Sequence, residues 1–378
     1  MESRLGRVGE LYCGKQLLKP MAATPDHKLS KVLIAGAGIA GLATMISLSR
    51  IAAILDLEIQ LYEQAPELLE IGASIALSPN GMRTLEKLGV HDALSDDFVF
   101  KGPSGILQIV RSSQSTPTAT FLTTRFHRGH LHAALLEHVP RQYIHLSKKL
   151  LHADADGNGV VLHFEDGTTV HGDILVGADG LNRALTEATP YTNLYPNFAG
   201  DASSTWVFKD RVTLVRDAAH AHEGAFAAVG PMALGDAFAL WLAFRYILTR
   251  AGQPCSKGYI GIEGIKKALE LYKRTRKPHT HHLLEIVHAQ LNTKLVARGS
   301  EDEEDEEWIN RMKGGPDTEW LSEHDVEKAF AHVVRQEDER VQALTVSRTL
   351  LFHYFWLAFH VKTLMQHSSP VENTALMR

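Results

Sequence analysis

Three glycines and one acid carry the most specific chemistry in this sequence. Gly36, Gly38 and Gly41 stand in the G-x-G-x-x-G pattern within KVLIAGAGIAGLA, residues 31–43. At that spacing the first glycine permits a tight turn, and the second lets backbone approach a diphosphate. The third lets a helix pack closely on its strand. Ile39 and Ala40 fall between them, where the helix opens and its unsatisfied N–H groups and positive dipole end attract phosphate oxygens. Glu63 follows 22 positions after Gly41, about where an acid should hold a ribose hydroxyl. A plain βαβ turn with a solvated Glu63 is the alternative, and turn, strand and acid together favour a dinucleotide site.

Other reactive residue types form no comparable pattern. His281, Glu285 and His288 would share a helix face, with His279 and His282 beside them. Nothing else supplies an oriented fourth ligand, so they read as a polar helix surface rather than a metal site. His220 and His222 read as packing groups or hydrogen-bond partners of a cofactor rather than as acid–base catalysts. Cys13 and Cys255 have no metal or redox spacing and suggest a reducing compartment, hence a cytoplasmic location. A net charge of −5 gives no electrostatic case for nucleic acid.

The elements that must position the site follow from apolar patterning. Val32–Ala35 is the unbroken apolar run of a strand buried on both faces, and Leu42–Ile51 suits a helix. A second strand spans Leu57–Tyr62. Pro79-Asn80-Gly81 precedes an amphipathic helix with Met82, Leu85 and Leu88 on one face. Strands are expected at 105–110 and 118–122, and a helix at Arg125–His138. A hairpin is expected from Val160–Phe164 and Thr168–His171 around Asp166-Gly167. Asp173–Val176 is a further buried strand ending in GADG, 177–180. Residues 181–203 read as loop, Thr205–Phe208 and Arg211–Val215 as extended. A long helix should start near Pro231, and another spans Ile265–Arg276.

Several of these segments, in order, resemble the single-component FAD-dependent aromatic hydroxylases, especially fungal salicylate-hydroxylase-like monooxygenases. The glycine turn with Glu63 is similar to their site for the ADP half of FAD. GASIALSPNGMRTLEKLG, 72–89, is similar to the next family segment, and Arg128 in FHRGHL falls at a flavin-contacting arginine. DILVGADG, with Asp179 and Gly180, matches the DG motif, and RVTLVRDAAHAH, 211–222, resembles the GD motif, whose aspartate is Asp217. Gly230 falls in the loop beside the flavin, and LYKRTRKPHTHHLLEIVH resembles a later helix. The likeness runs over roughly residues 30–340.

The resemblance implies an α/β fold: a Rossmann-like FAD/NAD(P)-binding domain, a reduced β-sheet substrate domain and C-terminal helices. It assigns 31–92, 126–183 and 205–253 to FAD binding, and 93–125 with 184–204 to the substrate domain. Residues 1–30 form an N-terminal extension, 254–341 a helical region and 342–378 an apolar tail. It also implies FAD as cofactor, NAD(P)H as co-substrate and hydroxylation of a small phenolic or aromatic acid with O₂ through a hydroperoxyflavin. An uncoupled, peroxide-forming enzyme or a non-catalytic remnant is the alternative.

Three departures bear on that choice. Arg216 stands where the family has glycine. Ala228 and Val229 occupy a glycine-rich loop, and only residues 181–216 separate the DG and GD segments. The interval is several times longer in the family, and a shortened enzyme is expected here. No membrane partner is expected: charges at Glu2, Arg4, Arg7, Glu10 and Lys15 exclude a secretory signal. The uncharged run Thr349–Val361, 13 residues, is shorter than the roughly 20 of a spanning helix. Met21 reads as a natural start, and Glu301–Glu307 as a solvated acidic loop.

Overall fold

The computed structural model describes residues 30–68, 74–90, 124–180, 205–221, 228–250, 260–297 and 319–367. It begins with β1 (Lys31–Ala35), α1 (Ile39–Leu55) and β2 (Glu58–Tyr62), followed by β3 (Ser74–Leu77) and α2 (Pro79–Lys87). Then come β4 (Thr124–His127), α3 (Arg128–Glu137), β5 (Ile144–His145), β6 (Leu150–Ala155), β7 (Val160–Phe164), β8 (Thr169–Gly172) and β9 (Ile174–Gly177). The chain continues through β10 (Val207–Phe208), β11 (Val212–Leu214), α4 (Asp217–His220) and α5 (Val229–Arg250). It closes with α6 (Ile262–Ala297), α7 (Glu319–Glu323) and α8 (Val326–His367).

The main sheet has the order β10-β11-β9-β1-β2-β5, parallel throughout except for the β10–β11 pair. Strand β1 lies inside this sheet, and its side chains alternate between two cores. Val32 and Ile34 join the core that includes α1 and α5. Leu33 and Ala35 face the other way, onto Val160, Leu162 and Phe164 of the β6-β7-β8 sheet. This two-sided burial explains the unbroken apolar run, since a strand covered on both faces has no polar side. The α/β fold with a parallel, Rossmann-like sheet is the expected one.

Local expectations are corrected at several points. Arg125–His127 is strand, not helix: the segment pairs antiparallel with Ser74–Ala76 and buries only Phe126. The helix begins at Arg128. Helix α6 runs 36 residues, through Pro278, far past Arg276. Strands β5 and β6 also lie outside the expected elements. Met82, Leu85 and Leu88 are buried together as expected. The strands at 105–110 and 118–122, the loop 181–203, the run 301–307 and the extension 1–20 lie outside the described residues. So does the substrate domain, apart from Thr124 and Arg125.

Among the described residues one stretch, Val229–Thr249, is long and apolar enough to cross a membrane, and 67% of its most apolar window is buried within the protein. Core helices show that pattern. The aromatic run 349–361 forms part of α8.

Candidate cofactor-binding site

Two hollows compete as the site. The larger, about 550 Å³, opens at the amino ends of β1 and β9 beside Lys31 and Asp173. The smaller, about 200 Å³, opens at the carboxyl ends of β1, β2 and β9. Parallel α/β sheets bind ligands beyond the carboxyl ends of their strands, so position favours the smaller one. Its lining agrees, because it gathers Gly36, Gly38, Glu63, Arg128, Asp179 and Gly180 from four separate segments.

The glycine turn is held from several sides. Gly36 has φ +101°, and a Cβ there would stand 2.6 Å from the Ala178 carbonyl oxygen and 2.9 Å from the Asp179 Cα. The turn and the GADG loop, about 140 residues apart in sequence, are therefore in backbone contact. A Cβ at Gly41 would lie 1.9 Å from the Gly36 carbonyl oxygen, so helix and strand can approach this closely only with glycine. Glu63 accepts from the N–H groups of Ala37 (2.8 Å) and Ala65 (2.9 Å), which fixes its carboxylate at the end of β2. Buried His132 bonds the Ala37 carbonyl at 2.8 Å. Sequence reasoning missed His132; its only signal is a histidine on the apolar face of α3.

Helix α1 starts at this turn with no side-chain cap and no acid in its first turn. Its first N–H groups lack intrahelical partners, and its positive end is directed toward the cleft. Ile39 and Ala40 contribute here through backbone, since their side chains are buried.

Opposite the turn stands Asp179. Both carboxylate oxygens are buried and have no hydrogen-bond partner among the described residues. Burial, with the nearby charge of Glu63 adding to it, pushes the pKa up to about 7. A buried acceptor without a donor is costly to keep. Cationic Arg128, Lys148 and Arg216 line the same cleft.

The GD-like segment supplies a strained turn. Arg216 has φ 54° and ψ −136°, and its guanidinium bonds Asp217 at 2.7 Å. Asp217 therefore adjoins the cleft wall through Arg216. Behind the turn, Asp236 of α5 accepts from the Arg216 N–H (2.8 Å), bonds His220 Nε2 (2.7 Å) and accepts from Arg276 Nε (2.7 Å). All three side chains are essentially inaccessible. Burial alone would raise the Asp236 pKa, but the charges and hydrogen bonds of His220 and Arg276 prevail and hold it at about 2. The sequence points to packing or a cofactor bond for His220; its Nε2 instead bonds Asp236, and neither Asp236 nor Arg276 was anticipated.

Gly230 lies in the first turn of α5, where a Cβ would stand 2.3 Å from Leu77 Cδ2 of β3. Its nearest neighbours are thus this strand rather than the cleft lining. Of the downstream histidines, His281 and His282 are exposed beside Glu285, while His279 is buried and stacks on His324 at 3.6 Å. Among the described residues His152, Asp154 and His163 cluster closely enough to suggest a metal. The two imidazoles are stacked at 4.2 Å with planes 10° apart, so their in-plane lone pairs run parallel and do not converge on one ion.

The cleft fits a dinucleotide such as FAD on these grounds. Asp179 has room for a hydroxyl donor, and the positive end of α1 suits an anion. Arg128 and Arg216 line the same cleft, and Gly36 and Gly41 keep side chains out of the way. Asp179 and Glu63 could take sugar or ribityl hydroxyls, and the α1 end the diphosphate.

No protein-family model matches the chain. It is 31% identical over 194 residues to 6-hydroxynicotinate 3-monooxygenase of Pseudomonas fluorescens, covering 47% of each chain. It is 30% identical over 187 residues to salicylate hydroxylase of Pseudomonas putida, covering 45% of this chain and 41% of that one. The chain spans about half the length of the curated relatives it matches. Among solved structures, tetrameric 2-methyl-3-hydroxypyridine-5-carboxylic acid oxygenase has a similar fold. The TM-score is 0.52 at 19% identity, over 73% of this chain and 94% of that one. The chain is thus similar in sequence, over about half of their length, to several named aromatic-ring hydroxylases, and similar in fold to one such enzyme.

Proposed function

We propose that this chain binds FAD in the cleft at the carboxyl ends of β1, β2 and β9. With NAD(P)H and O₂ it would hydroxylate a small phenolic or aromatic acid, of the salicylate type, in the cytoplasm. The observation that carries the reading is the buried Asp179 carboxylate, without a hydrogen-bond partner among the described residues, in the cleft that the glycine turn before uncapped α1 also lines. FAD, when bound, supplies the redox chemistry, taking up hydride from NAD(P)H and activating O₂ for transfer of one oxygen to the ring.

The protein's share is binding and orientation. Gly36, Gly38 and Gly41, with the N–H groups of Ile39 and Ala40, hold the diphosphate. Glu63 holds a ribose hydroxyl, Asp179 and Gly180 the polyol, and Arg128 and Asp217 the flavin side. In this reading 31–92, 126–183 and 205–253 make one FAD-binding unit. Segments 93–125 and 184–204 cover the substrate and exclude water from it.

FAD titration of the purified full chain tests the proposal. Flavin should bind with a shifted absorption band, and D179A should weaken binding by about tenfold or more, as loss of a charged hydrogen-bond acceptor does. A phenolic acid should then speed NAD(P)H oxidation and gain one oxygen by mass spectrometry. A chain that ignores FAD at every concentration refutes the cofactor reading. NAD(P)H consumption without oxygenated product refutes the hydroxylation.

A further inference from the structure

We propose that Arg216, ion-paired with Asp217, is a diphosphate ligand. The proposal rests on the FAD reading above and adds to it a residue peculiar to this chain.

The backbone gives the first argument. At φ 54° and ψ −136°, Arg216 lies outside the small left-handed region that non-glycine residues visit. Glycine is the residue at ease there. The conformation is enforced on several sides. Asp236 accepts the Arg216 N–H at 2.8 Å, and the Arg216 carbonyl accepts from Ala219 and His220, each at 2.7 Å. These bonds are all made by main-chain atoms of Arg216, so a glycine would keep every one of them. A non-glycine residue kept in so strained a conformation at the edge of a cleft points to function.

Side-chain placement says which function. Arg216 lines the same cleft as Gly36, Gly38 and Asp179. Two more cations, Arg128 and Lys148, line it, and the positive end of α1 faces it. Glu63 and Asp179 share the cleft, and Lys148 is paired with Asp166. The two arginines are therefore the groups suited to a phosphate, since guanidinium binds its oxygens in a forked, charge-assisted way. In the present structure the Arg216 charge is met by Asp217, 2.7 Å away, with both side chains mostly buried. Transfer of the guanidinium to phosphate oxygens releases the Asp217 carboxylate to accept a hydroxyl of the same ligand. One swing of one side chain therefore completes two contacts.

The test compares full-length wild type with R216G, R216A and R216K, each measured without flavin and titrated with FAD and with inorganic pyrophosphate over a range of salt. In R216G, strain relief outweighs the flexibility that glycine adds to the unfolded chain. The flavin-free melting temperature should rise by about 2–4 °C, while R216A shows no such rise. Both variants should bind FAD and pyrophosphate about tenfold more weakly, with a shallower salt dependence, and R216K should recover part of the loss. R216G or R216A that binds both ligands as tightly as wild type, with unchanged salt dependence, overturns the proposal. If R216G fails to fold, the affinity of R216A decides. Wild type that binds pyrophosphate through Arg216 but ignores FAD refutes the FAD reading and leaves this one standing.

Discussion

At residue scale, Asp179 ties stability to pH in an uncommon direction. Burial pushes its pKa up to about 7, whereas an exposed aspartate titrates near 4. Between those values the folded chain keeps a proton that the unfolded chain has released. Stability from this group is therefore fully present at acid pH and declines as pH rises toward and through 7. Replacement by asparagine removes the titration while keeping the shape. Flavin-free D179N should match wild type near pH 4 and exceed it by on the order of 1–3 kcal/mol at pH 8. Urea unfolding at several pH values reads this directly. A difference that stays constant from pH 4 to pH 8 would show that folding does not raise the Asp179 pKa. The same group is the acceptor assigned to FAD, so an apoprotein made sturdier at alkaline pH should bind flavin less well, as a functional site under strain predicts.

At the scale of elements, the turn joining β1 to α1 leaves no room for a side chain. G41A would press a methyl to 1.9 Å from the Gly36 carbonyl, which only separation of helix from strand can relieve. A loss of about 2–4 kcal/mol and of FAD binding is expected, in the range of severe overpacking. G157A meets no atom within 4 Å and should change stability little. Equal melting temperatures for G41A and wild type would refute the close packing. This element was legible in the sequence because everything it needs is local: an apolar run, three spaced glycines and an acid. Arg125–His127 was not, since its strand state depends on pairing with β3, about fifty residues earlier. Nor was the length of α6, where Pro278 reads as a stop. Burial of Leu283, Leu284 and Val287, with His279 stacked on His324, holds the helix beyond it. Asp236 looked like an unremarkable acid in an apolar helix because its partner Arg276 is forty positions away.

Across the whole molecule, that buried trio fastens the helical layer to the cleft. Asp236 belongs to α5, His220 to α4 and Arg276 to α6, so three elements meet on one carboxylate whose remaining bond holds the Arg216 turn. Arg276 also bonds His324, between α7 and α8. Burying such charges gains little against a well-packed apolar substitute, but removing one partner strands the others without water. R276M should therefore cost about 3–5 kcal/mol, and D236N, which weakens the acceptor shared by Arg276, His220 and the Arg216 N–H, should also be costly. The double variant D236N/R276M should lose clearly less than the sum of the two, because neither stranded charge is left. Urea unfolding of all four proteins closes the cycle. Simple additivity would mean that the pair is not coupled as its 2.7 Å geometry requires. FAD affinity measured on the same four proteins separates fastening from mere stability. D236N removes the carboxylate that accepts the Arg216 N–H and should loosen flavin binding, and this loss should persist in the double variant even where stability recovers.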